Sequence, residues 1–388
     1  MNNNRLCENI YYIGVDDKDI DLFEGQYIVP NGLSYNSYVI MDDKIAVMDT
    51  VDLRKCDEWE QNLERVLNGK TPDYLVVLHM EPDHAGSIGK FLQKYKSAKV
   101  VANNRTFQMM PQFFEDLDLT DRQVVVGEGD ELSLGQHSLS FVLAPMVHWP
   151  EVMMVYEKKE KILFSADAFG KFGALDTDEE WDCEARRYYL NIVGKYGAQV
   201  QTVLKKAAGL DIAKIFPLHG PMLTENLGYY LNKYDIWSSY RPEDEGIFIA
   251  YTSIYGNTKN AAEKLKEILQ QKGAKCVVMA DLARCDMAEA LEDAFRYDRL
   301  VLASPTYDGG MFPYMETFIN RLKSKNFQNR KVGFIENGSW APMAGKKMMD
   351  EMASLKNMTL IENKVTIKSA VKKEDIAQLE KLADALLA

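Results

Sequence analysis

The stretch HMEPDHAGS, running from His79 to Ser87, holds His79, Glu81, Asp83 and His84, all of them side chains that bind metal ions. Further candidates lie far away in sequence. His148 ends the run FVLAPMVH, Asp167 ends ILFSAD and His219 ends IFPLH. Each follows an apolar segment with strand character, and His79 itself follows YLVVL. Strand ends on one rim of a sheet converge, which is how a sheet protein assembles a site from distant residues. The remaining histidine, His137 in LGQHSLSF, is assigned no role. Four imidazoles and three carboxylates exceed the needs of one tetrahedral ion. They suit two ions with one carboxylate between them, and the mixed shell suits iron or manganese. Glu81 adds negative charge that an imidazole would not. That favours a ferric state and moves the expected chemistry from hydrolysis toward redox chemistry with oxygen or nitrogen oxides.

A second constellation lies in the last third of the chain. TSIYGNT (Thr252, Ser253, Ile254, Tyr255, Gly256, Asn257, Thr258) follows the strand-like GIFIAY and opens a helix. Hydroxyls and backbone N–H groups at a helix N-terminus satisfy a phosphate without an arginine. Neither G-x-x-x-x-G-K-[ST] nor G-x-G-x-x-G is present, which argues against a nucleoside triphosphate or a dinucleotide. Two further loops follow strands: Ser304, Pro305, Thr306, Tyr307, Asp308, Gly309 and Gly310, then Asn337, Gly338, Ser339, Trp340 and Ala341. Such carboxyl-end loops are where doubly wound sheets bind ligands. Tyr307 and Trp340 can cover a flat ring, and the glycines let backbone groups approach it.

The elements that must position these residues fall into two textures. Residues 1–245 read as short strands with interspersed helices, including a helix around Cys56–Leu67 and another around Ala198–Ala208. Tight polar turns at Asp42-Asp43 and Lys158-Lys159-Glu160 predict hairpins in a mixed sheet. The polar SSYRPEDEG, with Pro242, marks a boundary. Residues 246–388 alternate strand and helix five times, which predicts an α/β doubly wound parallel sheet. The chain is long enough for two domains, and 46% apolar residues give each a core. A formal charge of −12 argues against nucleic acid or an anionic membrane as partner. No apolar run approaches the roughly 20 residues that span a bilayer, and MNNNRLCENIYYIG carries no secretory h-region, so a cytoplasmic protein is expected. The five cysteines form no C-x-x-C pair and are odd in number, which argues against a disulfide framework, a zinc ribbon or a thiolate-bound iron centre and predicts reduced thiols.

The first half resembles the metallo-β-lactamase superfamily, whose usual run is H-x-H-x-D-H. The variant H-x-E-x-D-H, with HWPE and SADAFG downstream, resembles the flavodiiron proteins. That resemblance implies a metallo-β-lactamase-like αββα sandwich followed by a flavodoxin-like domain. It implies two Fe ions, one held by His79, Glu81, His148 and Asp167 and the other by Asp83, His84, His219 and the bridging Asp167. In some members the histidine matching His84 is displaced from the metal. SIYGNT is similar to the flavodoxin pattern T/S-x-T/S-G-N-T, departing at Tyr255, and implies FMN. The implied activity is reduction of O2 to water and/or NO to N2O. Electrons would come from a separate donor such as rubredoxin, in a head-to-tail homodimer or homotetramer, in an anaerobe. Tyr188 and Tyr189 are candidate proton sources. The competing expectation is a binuclear zinc hydrolase fused to a flavodoxin electron carrier, against which Glu81 weighs.

Overall fold

The computed structural model describes residues 4–388. The first three residues of the stretch read for a leader lie outside them. The chain forms two units. One runs through Tyr189 and resumes over Ala198–Tyr234; the other takes Leu190–Gly197 and Asp235–Ala388. Among the described residues, no helix is long and apolar enough to cross a membrane.

The first unit is built on two sheets. The seven-stranded sheet runs, in spatial order, Arg5–Cys7, Ile10–Tyr12, Tyr38–Ile40, Ala46–Met48, Tyr74–Val76, Lys99–Ala102 and Gln123–Val125. Its first half is antiparallel and its last three pairings are parallel. The five-stranded sheet runs Glu131–Ser133, Ser138–Leu143, Met153–Glu157, Ile162–Phe164 and Lys214–Phe216, antiparallel except for the last pair. Tyr38, from the first sheet, stacks on Phe216 of the second at 5.4 Å between ring centroids and meets Phe164 edge-on at 5.3 Å. Its hydroxyl donates to the Pro217 carbonyl at 2.6 Å, so this buried aromatic also satisfies its polar tip. Helix Cys56–Leu67 follows from its apolar spacing: Cys56, Trp59, Leu63 and Leu67 are buried on one face.

Both polar turns close hairpins: Tyr38 pairs with Met48, and Glu157 with Ile162. The run NIYYIGV, read as one strand, is broken in two. Ile10–Tyr12 lies in the large sheet and Val15–Asp17 pairs instead with Leu33–Tyr35. Gly14 sits at the break, where a Cβ would come within 2.4 Å of the Tyr35 carbonyl oxygen. MTLIENKVTI is likewise two short strands, Thr359–Leu360 and Val365–Ile367.

The second unit carries a parallel sheet in the order Val277–Asp281, Asp244–Tyr251, Tyr297–Tyr307, Lys331–Asn337, then the Thr359–Leu360 and Val365–Ile367 strands. Helices Asn257–Gln271, Met287–Arg296, Pro313–Ser324, Ala344–Ala353 and Lys373–Leu387 connect or follow these strands. In the first of them Ala261, Ala262, Leu265, Ile268 and Leu269 share one face. They pack with Leu379, Leu382 and Leu386 of the last helix against Ile247, Ile249, Val301 and Ile335 of the sheet. The strand order places the crossover between the two central strands, and the nucleotide-loop candidates lie at the carboxyl ends that flank it.

Candidate functional site

Three of the metal-ligand candidates stand at the same distance past a strand. His79 lies three residues beyond Tyr74–Val76, Asp167 three beyond Ile162–Phe164, and His219 three beyond Lys214–Phe216. The last two strands pair in parallel with Phe164 opposite Phe216, so equal offsets bring Asp167 and His219 to one rim. Glu81 precedes the short helix Pro82–Ala85, which carries Asp83 and His84. His148 arrives on the loop after Ser138–Leu143.

These side chains meet in two groups, His79 with Glu81, His148 and Asp167, and Asp83 with His84 and His219. Within each group the ligand atoms lie within 4.8 Å of one another. Asp167 divides between them. Its Oδ2 is 3.2 Å from His148 Nε2 and 3.5 Å from His79 Nε2, while its Oδ1 is 3.1 Å from His84 Nε2 and 3.9 Å from His219 Nε2. Glu81 Oε2 lies 3.0 Å from His148 Nε2 and 3.2 Å from His79 Nε2. Asp83 Oδ2 lies 3.3 Å from both His84 Nε2 and His219 Nε2. Both oxygens of Asp167, both of Asp83 and His148 Nε2 are buried without a hydrogen-bond partner. Close approach without hydrogen-bond alignment means that these atoms point at shared centres rather than at each other. Orphaned buried carboxylate oxygens are costly unless a cation completes them. The donor set, imidazole mixed with carboxylate around two centres, fits a pair of transition-metal ions.

The outward nitrogens are held from behind. His79 Nδ1 bonds the Glu151 carboxylate at 2.8 Å, and the same oxygen accepts the Met80 N–H at 2.9 Å. His219 Nδ1 donates to the Ser34 carbonyl at 2.8 Å. With its proton committed there, the neutral ring presents a lone pair at Nε2. Phe23, Tyr35 and Tyr188 flank the His219 ring at 5.7, 6.2 and 5.5 Å. His84 Nδ1 is buried and has no such partner.

Protons compete for the same seats. Burial alone would lower the His79 pKa, but the Asp167 charge and the bonds to Glu151 and Glu81 hold it well above the usual value. His148 is opposed by burial in the same way and is pushed up to about 9 by Asp167 and Glu81. Burial would raise Asp167, yet the surrounding imidazoles keep it well below the ordinary carboxylate range. A cation entering must displace these protons.

Tyr188 is fully buried against the site, and burial with the charges of Asp167, Asp83 and Glu81 keeps its hydroxyl un-ionised. Tyr189 packs instead on Tyr234, at 5.0 Å. His137, left without a role, is a structural residue: its Nδ1 bonds the buried Glu157 at 3.0 Å.

In the second unit a cavity of about 500 Å³ opens at the carboxyl ends of the strands. It is lined by Ser253, Ile254, Tyr255, Asn257 and Thr258, by Pro305, Thr306, Asp308 and Gly309, and by Asn337, Gly338, Ser339, Trp340 and Ala341. Thr252, Gly256, Ser304, Tyr307 and Gly310 are outside that lining. Thr252 donates to Ser304 beneath it, at 3.3 Å. Gly256, at φ 90°, makes the turn that caps helix Asn257–Gln271 and donates its N–H to Ser253 Oγ at 3.1 Å. Tyr307 packs on Phe312, and Gly310 pairs back to Tyr307 in the hairpin. The Tyr255 and Trp340 side chains are 92% and 82% exposed, the two most open aromatics at the cavity mouth.

Met343, in the same loop as Asn337–Ala341, and Ser369 also line the cavity, and Ser369 had no signal in the sequence. Ser369 arrives after the last strand and exchanges two bonds with Asn337. Glu151 and the Ser34 carbonyl were missed as well. Glu151 had a signal, an acid three residues after a ligand-candidate histidine, whereas a backbone carbonyl has none.

Comparison with known proteins follows the same division. The ODP family beta lactamase pattern matches residues 33–220, and the flavodoxin domain pattern matches residues 248–369. A nitric oxide reductase of Moorella thermoacetica is 27% identical over 388 residues, covering 97% of this chain and 96% of that relative. The solved structure of rubredoxin oxygen:oxidoreductase from the anaerobe Desulfovibrio gigas superposes with a TM-score of 0.90 at 25% identity, covering 98% of this chain and 97% of that one. The flavodiiron protein from Giardia intestinalis shares the fold, with a TM-score of 0.92 at 23% identity over 100% of this chain and 96% of that one.

Proposed function

From the premise that the chain belongs to the flavodiiron proteins, an ODP-family β-lactamase-like domain followed by a flavodoxin domain, we propose that it is an oxidoreductase. It reduces O2 to water and/or NO to N2O at a non-haem diiron centre, with electrons relayed through FMN. The observation that carries this reading is the division of Asp167, whose two oxygens face two separate ligand groups. His79, Glu81, His148 and Asp167 would hold one iron, and Asp83, His84, His219 and Asp167 the other.

Bound there, two iron ions would supply paired valence change and Lewis acidity to a diatomic gas. The chain's own part is positional. Glu151 and the Ser34 carbonyl fix the rings of His79 and His219. Tyr188 keeps a proton at its hydroxyl beside His219 and is the nearer of the two tyrosine candidates for proton supply. In the flavodoxin domain the Ser253–Thr258 turn would take the FMN phosphate at the helix N-terminus, and the loops at 305–309 and 337–341 would take the ring. A flavin passes one or two electrons, which matches a one-electron protein donor to a multi-electron acceptor. The working unit is a head-to-tail homodimer or homotetramer in the cytoplasm, served by rubredoxin or a similar donor. Its functional domains are residues 1–245 and 246–388.

The test is metal and flavin analysis of anaerobically purified protein, with O2 and NO consumption measured using reduced rubredoxin. The expected result is two irons and one FMN per chain, with consumption of one or both gases that the Asp167→Ala variant loses. Two zincs, no iron and ester hydrolysis would refute the reading and favour the hydrolase.

A further inference from the structure

Glu336 is fully buried at the end of strand Lys331–Asn337 and does not line the flavin cavity. Its carboxylate nevertheless ties together two segments that lead into that cavity. Oε2 accepts the Gly345 N–H at 2.7 Å, at the start of helix Ala344–Ala353. Oε1 accepts from Thr366 Oγ1 at 2.8 Å and from Lys364 Nζ, and Lys364 Nζ also reaches Thr366 Oγ1 at 3.2 Å. The wall loop, Asn337 to Met343, therefore leaves the sheet beside Glu336 and returns to it through Gly345. The same carboxylate anchors strand Val365–Ile367, which delivers Ser369 to the cavity. Gly338 N–H donates to the Ile367 carbonyl at 3.0 Å, and Ser339 and Ser369 share a hydroxyl bond of 2.7 Å, so the loop is bonded directly to the strand and the segment after it.

Residue 345 must be small for this approach. A Cβ at Gly345 would lie 2.5 Å from Lys364 Cδ and 2.8 Å from Glu336 Oε2. A buried carboxylate is stable only when its lone pairs are filled, and these donors fill them. The carboxylate also sits at the positive end of a helix. The donors come from two segments, the start of helix Ala344–Ala353 and residues 364–366, and Thr366 is the register partner of Glu336 on the neighbouring strand, so one carboxylate joins the two segments that lead into the cavity wall.

We propose that Glu336 is a positioning residue for the ring-facing wall of the flavin pocket, acting through Gly345, Thr366 and Lys364, and separate from the phosphate turn. The inference rests on the flavin reading above. It makes a specific demand on ligand selectivity. Riboflavin has the ring of FMN without the phosphate, so loosening the ring wall must weaken both by the same factor.

The experiment is fluorescence titration of flavin-stripped full-length protein with FMN and with riboflavin, for wild type, Glu336→Ala, Glu336→Gln and Thr366→Val. Glu336→Ala is expected to weaken both ligands about tenfold or more and to blur the vibronic shoulder of the bound flavin spectrum. Glu336→Gln keeps an acceptor for Gly345 and should weaken both less. Thr366→Val removes one donor and should weaken FMN and riboflavin by an equal, smaller factor, which tests the proposal even if the alanine variant does not fold. Unchanged binding in all three variants, or weakening of FMN alone, overturns the proposal. Failure of the wild type to bind either flavin overturns the underlying reading itself.

Discussion

Glu151 offers the sharpest test of how the metal centre is held. One carboxylate oxygen bonds both His79 Nδ1, at 2.8 Å, and the Met80 N–H, at 2.9 Å, in a fully buried setting. Glu151→Ala removes a charge-assisted hydrogen bond, worth about 1.5–3 kcal/mol net. Loss of such an outer partner of a ligating histidine typically costs about 10–100-fold in metal affinity, or about 1.4–2.8 kcal/mol at 1.4 kcal/mol per decade. The two routes agree. The loss must be one-sided, because His79 belongs to the group with Glu81 and His148 whereas His219 has its own anchor at Ser34. Anaerobic chelator competition, followed by iron per chain, should show two phases in the variant. One ion should leave at about 10–100-fold lower chelator than in wild type, and the other should be nearly unmoved. Glu151→Gln keeps a neutral acceptor and should shift less. Loss of both ions in a single phase, or no shift, would refute the assignment of Glu151 to one seat.

Other perturbations probe different links. His84 Nδ1 has no partner, whereas His219 is anchored and flanked by three rings. His84→Ala should therefore lower iron content less than His219→Ala, and elemental analysis of the two variants decides it. Burial would raise the Glu157 pKa, but His137 and the Glu160 and Lys159 N–H groups outweigh it and hold it below the ordinary value. The folded pKa is thus below the unfolded value near 4.3. Its stabilisation is fully present above that value and is lost as pH falls through the folded pKa. Glu157→Gln should then cost stability at about pH 7, with the gap to wild type closing as urea midpoints are taken below about pH 4; a constant gap contradicts this. Arg330 is buried and donates to the carbonyls of Tyr240 at 2.9 Å, Gln328 at 3.0 Å and Asn329 at 3.3 Å, and to that of Phe295. Arg330→Leu strands these acceptors and should cost the flavodoxin unit about 3–5 kcal/mol in chemical denaturation.

The convergence of the candidate ligands was legible because strand ends and ligand types coincide. An imidazole or carboxylate just past YLVVL, ILF or KIF has only one rim to occupy. What supports them was not legible to the same degree. The Ser34 carbonyl carries no residue signature, since any amino acid at that position offers one. Ser369 reaches the flavin cavity only because the last strand pairs beside Lys331–Asn337, and pairing order is not written in local sequence. NIYYIGV failed as a single strand for a different reason. Its alternation is continuous, but contact between Gly14 and the Tyr35 backbone redirects the chain, and that contact joins residues 21 apart in sequence. Glu336 fell at the edge of a stretch read for its aromatic and glycines, and its partners lie on a later strand.

The common spacer between strand and ligand has a consequence for how such a chain can change over generations. A residue inserted between Phe164 and Asp167, or between Phe216 and His219, displaces the ligand by about 3.3 Å, against a tolerance of about 0.2 Å for a metal bond. The segment after Asp167 carries no such ruler. Lineages of this fold should therefore accumulate length variation in the stretch between Asp167 and Lys214 while counting the spacers in whole, unchanging steps.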